Sequence, residues 1–277
     1  MDIKLIVSDI DGTLVMNNGS ASPVTGEAVR ACRAAGTEFV IASGRWYPAA
    51  LKVVRDQLGL EDGMMIVCNG GAVVKTDGTI LMEDTMSPAQ ARAVYDILHG
   101  EKVLMTSYVR GAIYRMNAKY LTMFDLPEIS EFLYGGSYEV IDDDEQGFIR
   151  RGLSNPYKME AHCDDFELLA RLRAKLEEAA LQVNSSFPFN LEIMGPGAGK
   201  GAAVEWLTGY MGLERDQVMA FGDYTNDLPM FESVGWPVAM GTALDEVKAA
   251  ARLIAPSCAE NGVAQMIHKY ILGDDPA

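Results

Sequence analysis

Two aspartates stand one residue apart where an apolar run ends, in the stretch Ile6-Val-Ser-Asp-Ile-Asp-Gly-Thr-Leu14. The alternation of Ile3, Leu5 and Val7, with Ile6 also apolar, reads as a buried strand. Gly12 supplies the backbone freedom to leave that strand sharply. Asp9 is therefore expected at the carboxyl end of a strand, which is where open α/β sheets bind ligands. The same residues also suit a plain acidic turn, because Asp, Gly and Thr all favour turns. The chemistry at the other strand ends separates the two readings.

Ser43, in Ser43-Gly44-Arg45, follows a second apolar strand at 38–42 and precedes a helix at 47–58. A hydroxyl and free backbone N–H groups there can hold a phosphate oxygen. Lys200, in Gly199-Lys200-Gly201, opens a later helix and can neutralise phosphate charge. The loop Gly222-Asp-Tyr-Thr-Asn-Asp227 follows a strand ending at Phe221. Asp223 and Asp227 would complete an oxygen-rich set suited to Mg2+. Four such junctions in chain order are much harder to ascribe to chance than one.

The elements that must position these residues are legible from periodicity. A turn signal at Asn18-Gly19 predicts a small flap beside the acids, and a helix at 22–35 has Ser22 as its cap and Pro23 in its first turn. Strands at 38–42 and 64–68 alternate with the helix at 47–58, and this rhythm predicts a parallel sheet. From about Asp84 it gives way to a helix at 87–99, short strands near 103–108, 112–117, 157–162 and 190–194, and a helix at 165–180. From Gly199 the α/β rhythm resumes, with strands at 217–221 and 236–240 and helices at 199–211 and 226–234. The expected fold class is α/β: a Rossmann-like parallel-sheet core, discontinuous over 1–83 and 195–277, carrying an inserted α+β cap at 84–194 over its carboxyl edge.

Composition bounds the function. The 277 residues carry a net charge of −16, which repels nucleic acid and anionic lipid but still allows a small phosphorylated substrate where a cation is bound locally. No run approaches the length of a membrane span, and Met-Asp-Ile-Lys leads directly into a strand pattern, so a cytoplasmic location is expected. The four cysteines, Cys32, Cys68, Cys163 and Cys258, form no Cys-x-x-Cys pair and suggest neither disulfides nor zinc. His99, His162 and His268 lack ligand spacing, the 16 methionines read as core filling, and Trp46, Trp206 and Trp236 read as packing residues. Gly195-Pro-Gly-Ala-Gly-Lys-Gly201 is not a phosphate-binding P-loop, because Met194 stands where its first glycine belongs and Gly201 where it needs Ser or Thr.

The four junctions together resemble the haloacid dehalogenase-like (HAD) superfamily of hydrolases. Its pattern is an Asp-x-Asp-Gly-Thr strand end, a Ser or Thr after the second strand, a later Lys, and a Gly-Asp-x-x-x-Asp loop. The large insert, Asn69-Gly70 and the Gly-Asp-x-x-Asn-Asp loop look like the Cof-type sugar-phosphatase branch with its C2-type α/β cap. The resemblance spans the chain. It implies that Asp9 is the nucleophile forming an aspartyl-phosphate, and that Asp11 protonates the leaving alkoxide and then activates water. It places Mg2+ on Asp9, Asp223 and the backbone carbonyl of Asp11, with Asp227 orienting the metal shell. Ser43, Lys200 and Asn226 would hold phosphoryl oxygens, Thr13 and Gly44 would help position the loop, and Arg45 and Asn69 would lie at the mouth of the site.

The implied activity is an Mg2+-dependent phosphatase of small phosphorylated metabolites, sugar phosphates first. A phosphomutase of the same superfamily and a non-catalytic metabolite-binding protein are the alternatives; the presence of both Asp9 and Asp11 argues against the second. Tyr108, Arg110, Tyr114, Arg115 and Lys158 are the cap residues whose chemistry could select substrate, since loops carry specificity. Oligomeric state is not legible.

Overall fold

The computed structural model describes residues 1–16, 19–120, 140–186 and 188–273. Asn18 of the flap signal lies outside the described residues; Val15 and Ala21 form an antiparallel bridge. The chain separates into two compact units, Met1–Met82 with Gly199–Ala277, and Glu83–Ala198.

The first unit is built on an eight-stranded sheet. Its strands are β1 (Leu5–Ser8), β2 (Glu38–Ala42), β3 (Met64–Val67), β4 (Ala72–Lys75), β5 (Ile80–Glu83), β12 (Val218–Gly222), β13 (Trp236–Met240) and β14 (Leu253–Ala255), in the spatial order β14-β13-β12-β1-β2-β3-β4-β5. From β14 to β3 the neighbours run parallel, so their carboxyl ends share one edge. All four residues of β1 are buried, as a strand covered on both faces requires. Leu5, Val7, Val40, Ala42, Ile66, Val218 and Ala220 form the core beneath helix Lys200–Tyr210.

The helix at the second junction is shorter than its periodicity predicts. Tyr47–Lys52 is α-helical, and Val53–Gln57 widens into a π-turn in which Val53 and Val54 are both buried. The antiparallel β3–β4 pair and β5 extend the sheet where no strand is expected from the α/β rhythm. Asp77-Gly78 between β4 and β5 is a hairpin signal that this rhythm hides. The last of the four junctions also differs: Thr225–Asp227 is a tight 3-10 turn and the helix proper begins at Leu228, next to Pro229, whose ring suits a first helical turn.

The second unit holds a six-stranded sheet in the order β10-β11-β9-β6-β7-β8. These are β6 (Leu104–Val109), β7 (Ala112–Met116), β8 (Val140–Asp142), β9 (Lys158–His162), β10 (Gln182–Asn184) and β11 (Asn190–Met194). Helices Pro88–Leu98 and Phe166–Glu178 pack on one face through Val94, Leu98, Leu169, Leu172 and Leu176 with Met105, Met159 and Ile193. Ser87 and Gln90 cap the first of these helices reciprocally. Among the described residues no helix is long and apolar enough to cross a membrane.

Candidate active site

The register of the parallel sheet determines which residues meet. Ser8 pairs with Phe221 on one side and Ile41 on the other, so Asp9, Ser43 and Asp223 all emerge at one edge. The Asp9 backbone N–H donates to the Phe221 carbonyl at 3.0 Å, extending the β1–β12 ladder one residue into the site. Gly12 then turns with φ +84°, and a Cβ there would stand 2.4 Å from Asp223 Oδ2. Only glycine lets the loop pass so close to that carboxylate. Thr13 Oγ1 donates to the other oxygen, Asp223 Oδ1, at 2.8 Å.

Lys200 ties the cluster together from the start of its helix. Its fully buried ammonium donates to Asp9 Oδ1 at 2.5 Å and to Asp227 Oδ1 at 2.7 Å. Asp227 Oδ2 accepts from the backbone N–H groups of Asp223 and Tyr224 at 2.9 and 3.2 Å. Asp227 thus holds both Lys200 and the turn that aims Asp223, and Gly222 makes room for it, since a Cβ there would meet Asp227 Oδ2 at 2.5 Å. The tight turn at Thr225–Asp227, in place of a regular helix start, allows this back-bonding.

Oxygen atoms of Asp9, Asp223 and Asp227 lie within 4.8 Å of one another. Such a set of carboxylate oxygens fits a hard divalent cation. The electrostatics agree. Burial pushes the Asp9 carboxyl well above its ordinary value, and Asp227, Asp223 and Asp11 add to the effect while Lys200 opposes it. Burial, then Asp227, pushes Asp223 up to about 6. Burial alone would lower Lys200, yet the charges of Asp227 and Asp9 hold it above the ordinary lysine value. One ammonium among this many buried carboxylates leaves a deficit of positive charge that a bound cation would fill.

Asp11 and Arg45 are joined to each other, a pairing the sequence reading does not contain. The Asp11 carboxylate stands outside the three-carboxylate group and accepts from Arg45 through both oxygens, at 3.0 Å from Nε and 2.5 Å from Nη2. Arg45 is buried, so it is neither a surface residue nor open at the mouth of the site. Its planar fork matches a carboxylate two bonds at a time, a pairing that spacing along the chain does not announce.

Ser43 is buried, and two of the N–H groups expected to be free around it are engaged. The Ser43 N–H donates to the Ile66 carbonyl at 3.0 Å, and the Arg45 N–H donates to Ser43 Oγ at 3.1 Å. The helix begins only at Tyr47, so the Ser43 hydroxyl itself and the Gly44 segment face this edge without a helix terminus behind them. Asn69 sits in a left-handed conformation with φ +54° and accepts from Asn226 Nδ2 at 3.5 Å through its Oδ1. Its own Nδ2 is buried and has no hydrogen-bond partner among the described residues. Gly70 packs this turn against the start of the Lys200 helix, where a Cβ would stand 2.2 Å from the Gly199 carbonyl oxygen. These close-approach glycines, and Cys258, whose thiol burial and then Asp223 push up to about 11, carry no signal in spacing alone.

In the second unit the residues with candidate specificity chemistry have partners. Arg115 pairs with Asp142, Arg110 with Glu83, Lys158 with Glu160 and Glu192, and Tyr108 donates to Glu160.

Three comparisons bear on this geometry. The family described as haloacid dehalogenase-like hydrolase matches residues 6–267. Two Bacillus subtilis (strain 168) proteins named 5-amino-6-(5-phospho-D-ribitylamino)uracil phosphatase, YwtE and YcsE, are 27% and 28% identical, each over 98% of this chain and over 99% and 97% of their own lengths. The solved structure of a haloacid dehalogenase-like hydrolase from B. subtilis superposes with a TM-score of 0.83 at 24% identity, covering 97% of this chain and 100% of that one.

Proposed function

The chain belongs to the haloacid dehalogenase-like hydrolases, and from that premise we propose that it is an Mg2+-dependent phosphatase of small phosphorylated metabolites, sugar phosphates first, working through an aspartyl-phosphate. The observation that carries this reading is the placement of Asp9 and Asp11. Asp9 enters a carboxylate group short of positive charge, and Asp11 leaves the same strand end but stands outside that group. A binding module has no use for that division of labour.

In the proposed reaction the free oxygen of Asp9 attacks phosphorus as the ester bond breaks, and Asp11 delivers a proton to the departing alkoxide. Asp11 then takes a proton from the water that attacks the aspartyl-phosphate, which releases inorganic phosphate and regenerates Asp9. Both Asp11 oxygens accept from Arg45 in this structure, so the proton transfers require Asp11 to release at least one of those bonds. Lys200 keeps one Asp9 oxygen occupied and so selects the other for attack. Mg2+, held by Asp9 and Asp223 with Asp227 and the Asp11 backbone carbonyl beside them, would offset the repulsion between a carboxylate nucleophile and a phosphate dianion. Ser43, Asn69 and Asn226 supply neutral donors for phosphoryl or substrate oxygens; Asn69 Nδ2, buried and without a partner among the described residues, supports that role. The phosphorylated ribityl chain named for the two relatives is a sugar-alcohol phosphate, which supports the substrate class.

Inorganic phosphate released from a panel of hexose, pentose and polyol phosphates with Mg2+ tests the proposal. Release is expected. Isomerisation without release, stimulated by a bisphosphate, would replace the hydrolase with a phosphomutase, and saturable binding without turnover across the panel would replace it with a binding protein.

A further inference from the structure

The second unit carries a cleft of about 580 Å3, lined in part by Arg110, Arg150, Arg151, Tyr114, Tyr157 and Glu83. That volume lies within the range of small-molecule sites. Three guanidiniums converging on one cleft are unusual in a chain whose net charge is −16, and none of these residues belongs to the Asp9 cluster.

Two of the arginines are braced from behind. Arg151 donates to Asp143 through Nε at 3.0 Å and Nη2 at 2.5 Å, and its guanidinium lies over the Tyr114 ring at 5.4 Å. Asp143 is lodged against Gly147, where a Cβ would stand 2.0 Å from Asp143 Oδ1, so no larger residue leaves room for the carboxylate. Arg110 donates to Glu83 at 2.9 Å, and Glu83 also accepts from the Tyr157 hydroxyl. Arg150 is exposed and makes no ion pair among the described residues.

A guanidinium has five N–H donors, so each braced arginine keeps donors beyond those its carboxylate uses. Glu83 and Asp143 are each paired with one guanidinium and Asp144 adds its charge beside Arg151, which leaves Arg150 as the guanidinium with no ion pair among the described residues. Two braced forks beside an arginine that makes no ion pair of its own suit an oxyanion. We propose that this cleft of the second unit is an anion site that binds a small metabolite through a phosphate or carboxylate group held by Arg150 with Arg110 and Arg151.

The test is a titration of the full-length protein, free of divalent cation, with inorganic phosphate and separately with acetate. Arginine Nε–H resonances, assigned with Arg150→Gln and Arg110→Gln, report the binding. The expected result is a saturable shift of the Arg150 and Arg110 resonances, with affinity weakened by at least about tenfold in Arg150→Gln, as loss of a charge-assisted fork implies. Saturation by phosphate alone, by acetate alone or by both identifies the anion class. Resonances that stay still or drift without saturating, or an Arg150→Gln variant that binds as tightly as wild type, overturn the proposal. Arg150 is exposed, so its substitution leaves the fold intact, and a thermal melt of the variant checks this. The titration involves no turnover, so its outcome is independent of the phosphatase reading.

Discussion

Each unit of this protein buries one lysine between two carboxylates, and the two arrangements have opposite electrostatic character. In the first unit Lys200 bridges Asp9 and Asp227. In the second, Lys158 bridges Glu160 at 2.5 Å and Glu192 at 2.9 Å, and every one of these side chains is buried. Around Lys200 the additional neighbours are more acids, Asp223 and Asp11, and Asp9 is pushed up. Around Lys158 they are donors: Tyr108 and His162 bond the second oxygen of Glu160 at 2.8 and 2.9 Å, and Ser186 bonds that of Glu192 at 2.6 Å. Burial alone would raise Glu160, but Lys158 and then His162 outweigh it and hold the carboxyl well below its ordinary value. A buried lysine between two acids therefore does not by itself mark a reactive site. The unmet charge separates these two clusters: that of Asp9 keeps an excess of acid, whereas the second oxygens of Glu160 and Glu192 are met by side-chain donors.

The largest effect is expected at the nucleophile. Asp9→Asn should lower phosphate release at least ~10³-fold in a steady-state assay while leaving the fold intact, because it removes the attacking oxyanion and keeps the shape. Retained turnover would remove Asp9 from the reaction. Lys158→Met should instead cost about 3 to 5 kcal/mol in urea unfolding, the usual result of stranding buried acids without their cation. A loss below about 1 kcal/mol would mean the network relaxes, and the contrast drawn here would weaken.

The pH dependence of stability should differ in sign between the two regions. Asp223 has a folded value of about 6 against 3.8 unfolded, so the folded state binds the extra proton between those pH values. Its contribution is fully present below pH 3.8 and is lost as pH rises through 6, on the order of 2 to 3 kcal/mol in the metal-free protein. Glu160 is depressed, so its contribution is present above its ordinary 4.5 and is lost as pH falls below that. Urea unfolding of metal-free protein across pH 4 to 7 should show this decline, and Asp223→Asn should make it shallower, the raised Asp9 carboxyl contributing the remainder with the same sign. Added Mg2+ should reverse it above pH 6, where the carboxylates are free to bind. The smallest effect belongs to Thr13→Val, which removes one hydrogen bond to Asp223 and should weaken Mg2+ affinity by roughly 1 kcal/mol in a calorimetric titration. An unchanged affinity would make Thr13 a loop residue only.

Much of this was legible in the chain. The strand-end acids, the serine and lysine junctions and the α/β rhythm follow from apolar periodicity and from glycines and prolines at turns, which are local signals. The β4–β5 hairpin was masked because the βαβ rhythm outweighed Asp77-Gly78, and the π-turn at Val53–Gln57 because periodicity does not distinguish it from a longer α-helix. Within the site, Arg45 was legible as a cation near the strand ends but not as the partner of Asp11.

By itself the sequence determined which groups would stand at the strand ends, because side-chain chemistry and strand boundaries are set over a few neighbouring residues. The pairings came from the folded chain: Lys200 with Asp9 across 191 positions, Arg45 with Asp11 across 34, Lys158 with Glu192 across 34. A charged side chain takes its partner from three-dimensional proximity and from the cost of leaving a buried charge unpaired, and neither quantity is written in spacing along the chain.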